Sequence, residues 1–173
     1  MSASKNASSP RKFEGGQPGC ATPGGLPNRI PISYRLFFLY IEPLSALVGA
    51  YYAHFQPSAY LHLTHASSFP SPTFTPSTGT TAVLSQLANL YLLFAINEGL
   101  VLRSTTDRKV WRTLLFGLLV ADLGHLWSVK GTGTSWEVYC KFWEWNEMAW
   151  GNVGFVYAGA LTRVLFLLGV GLS

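Results

Sequence analysis

Charge is scarce in this chain. Only 12% of its 173 residues are Asp, Glu, Lys or Arg, about half of the roughly 25% found in soluble domains. A globular surface stays wet through its charges, so the deficit argues against an ordinary soluble protein. Cysteine is nearly missing as well. Cys20 and Cys140 are the only two, and their placement favours neither a disulfide framework nor a CxxC metal or redox site. There is no GxGxxG and no Walker loop, which disfavours an enzyme built on a soluble cofactor. Gly131-Thr132-Gly133-Thr134 reads as a flexible turn. No cofactor and no metal are expected. The net charge of +4 comes without a Lys/Arg-rich block or a stacking motif, so nucleic acid is not an expected partner. Lys and Arg are absent altogether from residues 56–80.

What the chain does have is apolar residues, 49% of the total, and a mean hydropathy of +0.24. The few charges cluster and leave long apolar stretches between them, which is the pattern of an integral membrane protein with one domain. Residues 1 to about 30 are rich in Ser, Gly and Pro and read as a disordered tail. Asn6-Ala7-Ser8 within it matches a glycosylation sequon, which a cytoplasmic tail leaves unused. The membrane domain is expected over 31–173, with spans at about 33–55, 81–102, 110–129 and 149–172. Each is close to the ~20 residues that cross the hydrocarbon core, and none alternates apolar and polar residues as a barrel strand does. The expected fold is therefore all-α, a four-helix transmembrane bundle.

The basic residues set an orientation. Lys5, Arg11, Lys12, Arg29 and Arg35 precede or open the first span, and Arg103, Arg108, Lys109 and Arg112 flank the connection between the second and third. By the positive-inside rule both chain ends and the 103–109 turn are cytoplasmic. Trp136, Trp143, Trp145 and Trp150 would form an aromatic belt on the other side. Short spans and the lack of another address point to the endoplasmic reticulum.

Ionisable groups inside a bilayer cost several kcal/mol by insertion scales, so each needs a partner or a purpose. The spans carry Glu42, Glu98, Asp122, His125 and Arg163, with Gln86, Asn89, Asn97 and Asn152 as neutral company. At a rise of 1.5 Å per residue, Glu42 and Arg163 each lie ~13 Å from the cytoplasmic end, Asp122 and Asn89 ~18–20 Å, and Glu98 only ~6 Å. Helical phase puts Gln86, Asn89, Leu93 and Asn97 on one stripe, Asp122 and His125 on one face, and Asn152, Gly159 and Arg163 on another. Pro43 removes a backbone donor and frees the Leu39 carbonyl beside Glu42.

Glu42 opposite Arg163 reads first as a structural ion pair and second as a catalytic dyad. Glu98 is expected to snorkel, or to meet Arg35 or Arg103, and its structural and functional readings stand level. Asp122 with His125 is the sharpest pair, since no second cation is evident at that depth. A carboxyl without a counter-charge in a low dielectric keeps its proton, as a general acid requires. Catalysis and a satisfied hydrogen-bonded pair stay open there. His54, His62 and His65 lack zinc-site spacing.

Four strings carry a resemblance: RLFFLYIEPLSALVGAYYAHF (35–55), NLYLLFAINEGLVLRSTTDRKVWR (89–112), LVADLGHLWSV (119–129) and WNEMAWGNVGFVYAGALTRVLFLLG (145–169). They resemble a fungal family of small four-span membrane proteins that has only a domain-of-unknown-function label. Tyr40-Ile41-Glu42-Pro43 and Ala121-Asp122-Leu123-Gly124-His125 are its most specific parts. In architecture the chain is also distantly similar to EXPERA-type sterol isomerases and sterol-binding receptors, and to fungal meroterpenoid terpene cyclases. Those cyclases usually have about seven spans, and their catalytic positions do not map onto this shorter chain.

These resemblances imply a membrane-embedded acid–base enzyme, a terpene cyclase or isomerase of secondary metabolism acting on an isoprenoid-type substrate. Asp122 or Glu42 would protonate an epoxide or olefin, and Glu98 or His125 would accept the proton afterwards. Arg163, Asn89, Asn97 and Asn152 would line the substrate site. The expected partners are a lipophilic small molecule and membrane lipids, with a homo-oligomer left open. The alternative is a non-catalytic protein that binds sterol or lipid, or scaffolds biosynthetic partners. A transporter is disfavoured, because four spans enclose little room and show no inverted repeat.

Overall fold

A computed structural model describes residues 30–67, 69, 71, 73–132 and 137–172. The tail expected over residues 1–30 falls, apart from Ile30, outside the described residues, as do its sequon, Cys20 and Trp136. Every regular element among the described residues is helical. The long helices are α1 (Ile32–Phe55), α3 (Thr78–Ser104) and α4 (Arg108–Gly131), all three long and apolar enough to cross a bilayer. A short helix, α2 (Pro57–Thr64), follows α1. The last helix, α5, runs over 147–167 and mixes its apolar residues with Glu147, Asn152 and Arg163.

The helix starts are written in side chains that accept from otherwise unpaired backbone donors. Ser77 accepts from the Thr80 amide, Asp107 from Lys109 and Asn146 from Ala149. The end of α5 is set by Gly169, whose φ of 83° turns the chain out of the helix at little steric cost. The last helix therefore stops at Leu167, short of residue 172, where a fourth span was expected to end.

Three helices contain one π turn each, at Phe37–Ile41, Asn97–Val101 and Trp150–Gly154. The first has a covalent cause. Pro43 has no N–H to give the Leu39 carbonyl, and the Glu42 amide reaches back five residues to Phe37. Arg103 then takes the vacated carbonyl, its Nη2 donating to Leu39 O at 3.3 Å while the guanidinium lies 4.7 Å over the Tyr40 ring. Such turns are rare and concentrate at functional sites.

The helices pack as α1 with α3 and α4 with α5. One apolar core joins all four at the end that holds the 103–107 turn, where Tyr34, Phe38, Leu102, Trp111, Leu115 and Phe166 are buried together. The Tyr34 hydroxyl donates to Val170 O at 2.8 Å, so the start of α1 and the end of α5 lie side by side. At the opposite end Ala53, Tyr60, Leu84 and Ala88 form a smaller core in which α2 closes over α1 and α3. Gly49 lets α1 approach closely, since a Cβ there would sit 3.4 Å from the Tyr91 ring. Asn146 ties the start of α5 to the end of α2, its Nδ2 donating to Leu63 O at 3.0 Å. Trp145 and Trp150 stack edge-on nearby, 5.1 Å between centroids.

The hydroxyls of Tyr60 and Tyr91 share a 3.1 Å hydrogen bond inside that smaller core. Burial pushes the Tyr60 hydroxyl well above its ordinary pKa, so it keeps its proton. Tyr60→Phe leaves the part-buried Tyr91 oxygen without its partner, an expected loss of about 1 kcal/mol. Tyr60→Phe with Tyr91→Phe should cost less than the two single changes added. A double-mutant cycle on unfolding in detergent checks this, and strict additivity contradicts it.

Candidate functional site

A single guanidinium sits at the centre of the bundle, and each of the other three long helices sends it a carboxylate. Arg163 of α5 is 3% exposed and donates from Nη2 to Glu42 of α1, from the same nitrogen to Glu98 of α3 at 2.9 Å, and from Nη1 to Asp122 of α4 at 2.5 Å. Glu98 is the deepest of the three at 1% exposure, whereas Glu42 and Asp122 each keep 13%. Glu42 and Glu98 also lie against one another. The Phe38 ring covers the guanidinium at 5.7 Å, a cation–π contact in a dry setting where such contacts are strongest.

Helix direction brings these groups to one level. A helical side chain leans towards the N-terminus of its own helix. Along α4 and α5, which run in opposite directions, Asp122 leans one way and Arg163 the other, closing the depth difference between their backbones. The Arg163 guanidinium thus comes to rest over Gly159, one turn back. A Cβ on Gly159 would stand 2.8 Å from Arg163 Nη1 and 3.2 Å from Glu42 Oε1. Glycine leaves room there for both groups, and a larger residue makes them shift.

Two expectations are corrected. Glu98 meets neither Arg35 nor Arg103; it turns inward to Arg163, and Arg103 is committed to Leu39 and Tyr40. Asp122 does have a cation, Arg163, and its hydrogen bond goes there and not to His125. Counting rise along the backbone ignored the reach and lean of a long side chain. His125 instead faces the backbone of Asn152 on α5, with Nε2 buried and unbonded.

The amides also divide. Gln86 and Asn89 are exposed on the outer face of α3, because its inner face is taken by Leu84, Ala88, Ala95 and Glu98. Small residues there win the contact with α1, and the polar stripe is turned away from the bundle. Asn89 is therefore apart from the cluster, and Asn97 lines a groove between α3 and α4. Among the described residues no His, Cys, Asp and Glu set is arranged to hold a metal ion. The guanidinium occupies the centre where a cation would sit. Gly159 and Phe38 were not singled out as site residues from the sequence, although a glycine four residues before an intramembrane arginine is a readable signal.

Removing the guanidinium strands three carboxyl groups, while removing one carboxylate leaves two. Arg163→Met should therefore be the most damaging single change, about 3–5 kcal/mol as for other broken buried ion pairs. Glu98→Gln or Asp122→Asn should cost markedly less, since an amide oxygen still accepts. Gly159→Ala should fall between, about 1–3 kcal/mol for an overpacked site. Midpoints of thermal unfolding in detergent rank the four, and a milder Arg163→Met than Asp122→Asn contradicts the arrangement.

Comparison with known proteins gives a family and no reaction. No curated protein and no solved structure matches the chain. The family described as Domain of unknown function (DUF7704) matches residues 28–173, which takes in the cluster and every described helix, and the chain belongs to that family.

Proposed function

We propose that this protein is a membrane-embedded acid–base enzyme that moves a proton to or from a lipophilic, isoprenoid-type substrate, as a terpene cyclase or double-bond isomerase does. The supporting observation is the imbalance of the cluster, three carboxyl groups around one guanidinium. Balancing the charge of the guanidinium needs only one carboxylate. Two surplus carboxyl groups in a bilayer are costly unless they carry protons, and a carboxyl group that carries a proton in an apolar site is a general acid. Oε2 of Glu42 is buried and unbonded, so it has an oxygen able to hold that proton, and the equally unbonded Oε2 of Glu98 can take one up. Asp122 and Glu42, the two partly exposed members, are the donors to substrate, and Glu98 is the internal acceptor. His125, one turn along α4 with an unbonded Nε2, is the second acceptor. Aromatic faces such as Phe38 suit a cationic intermediate.

In this reading α5 is the fourth crossing, the turn at 105–107 and both termini face the cytoplasm, and the membrane is the endoplasmic reticulum. The basic flanks of α3 and α4 and the lack of Lys and Arg in 56–80 support it. Secondary metabolism in a fungus is the setting that the family resemblance suggests.

A second reading is favoured by one observation: every carboxylate of the cluster is bonded to Arg163. The cluster would then only hold helices together in a protein that binds lipid or scaffolds partners.

Microsomes from a host that makes candidate isoprenoid epoxides separate the two readings. Asp122→Asn and Glu42→Gln should each abolish product with the protein still present in the membrane. Full turnover in both variants rules out the acid–base mechanism. A fall in abundance that matches any fall in product supports the structural reading.

A further inference from the structure

Between α3 and α4 runs an open groove of about 570 Å³ whose lining includes no residue of the carboxylate cluster. Phe94 of α3 and Leu114 and Leu118 of α4 form its walls. Gly117 and Ala121 widen it, and a Cβ built on Gly117 meets nothing within 4 Å. The groove is apolar along most of its length and basic at one end. Lys109 lies there, exposed, with no carboxylate paired to its ammonium among the described residues. Thr113, one turn further, turns its hydroxyl back to the Lys109 carbonyl at 2.9 Å and leaves its methyl to the groove.

From Lys109 to Ala121 the groove follows α4 for about 18 Å, slightly more than the ~15 Å of one leaflet's hydrocarbon. Its polar end is at the helix terminus and its apolar end at mid-membrane. Asn97 places a carboxamide in the wall between these ends. A cation, then an amide, then hydrocarbon is the order in which a phospholipid presents phosphate, ester and acyl chain.

We propose that this groove is a binding site for one anionic phospholipid of the leaflet on the side of the 105–107 turn. One acyl chain lies against Gly117 and Ala121, the ester region is beside Asn97, and the headgroup is held by Lys109. The site goes beyond the acid–base reading and stands without it, since no residue of the Arg163 cluster takes part.

The test uses the full chain reconstituted in phosphatidylcholine vesicles with and without phosphatidylserine. The protein is extracted in mild detergent, and co-eluting phospholipid is counted by mass spectrometry. Phosphatidylserine should be retained about fivefold above its share of the bilayer, the equivalent of one basic side chain near an anionic surface. Lys109→Gln should abolish that enrichment while phosphatidylcholine is still retained. Gly117→Leu extends a side chain into the groove from a position where a Cβ meets nothing within 4 Å, so it should lose retained lipid of both kinds with the chain still folded. The proposal is overturned if wild type shows no enrichment, if Lys109→Gln keeps it, or if Gly117→Leu retains as much lipid as wild type. It is equally overturned if Gly117→Cys chains cross-link to one another, because a second copy then covers the groove. Product formation in Gly117→Leu reads the acid–base proposal separately.

Discussion

Four helices of this protein meet in one guanidinium, and the fold is arranged around supplying it. Apolar packing in a bilayer offers little net drive, since lipid tails are as apolar as leucine. The pair α1–α3 can form by close contact of small residues such as Gly49 and Gly99. What fixes it against α4 and α5 is the aromatic core at the 105–107 end and, one turn further in, Arg163 with its three carboxylates. Arginine suits this post better than lysine would. Its planar fork has donors in several directions and is less strongly hydrated than an ammonium. Nη1 and Nη2 already reach three helices, and Nε is buried and unbonded.

The backbone bends to serve that centre. Glu42 follows directly on a π turn and Glu98 lies within another. An extra residue in a turn rotates everything beyond it by about 100° relative to a regular helix, so both carboxylates are aimed by a local irregularity. For α1 the irregularity is encoded by Pro43, and Arg103 of α3 caps the carbonyl that proline leaves free. One covalent feature thereby links a kink, an interhelical bond and the placing of an acid.

Much of this was legible in the sequence. Apolar length alone led to an expectation of four spans, of which three are helices long and apolar enough to cross a bilayer, and the Leu39 carbonyl freed by Pro43 was visible as a missing donor. The meeting of Glu42 and Arg163 followed from matched depth. Partner choice beyond that pair was not legible, for a physical reason. Depth counted along a backbone treats side chains as points, whereas glutamate, aspartate and arginine lean and extend by a turn or more. Glu98 and Asp122 were thus assigned to other partners. Helical phase has the same weakness. It put Gln86, Asn89 and Asn97 on one stripe of α3, but it cannot say which side faces in when small residues compete with polar ones for the interior.

The cluster and the groove place opposite demands on the same two helices. Glu98 and Asp122 draw α3 and α4 towards the bundle axis, yet their neighbours Asn97 and Ala121 line an opening between those helices. The helices therefore converge on the guanidinium while remaining apart along the groove, where Gly117 supplies no side chain to close the gap. In water such a gap would collapse or fill with solvent. In a bilayer its medium is lipid, and an acyl chain can occupy it with dispersion contacts like those of a packed side chain. A ligand drawn from the membrane would then complete the α3–α4 interface that protein atoms leave unfinished, with the ionic centre fixing its inner edge and Lys109 its rim.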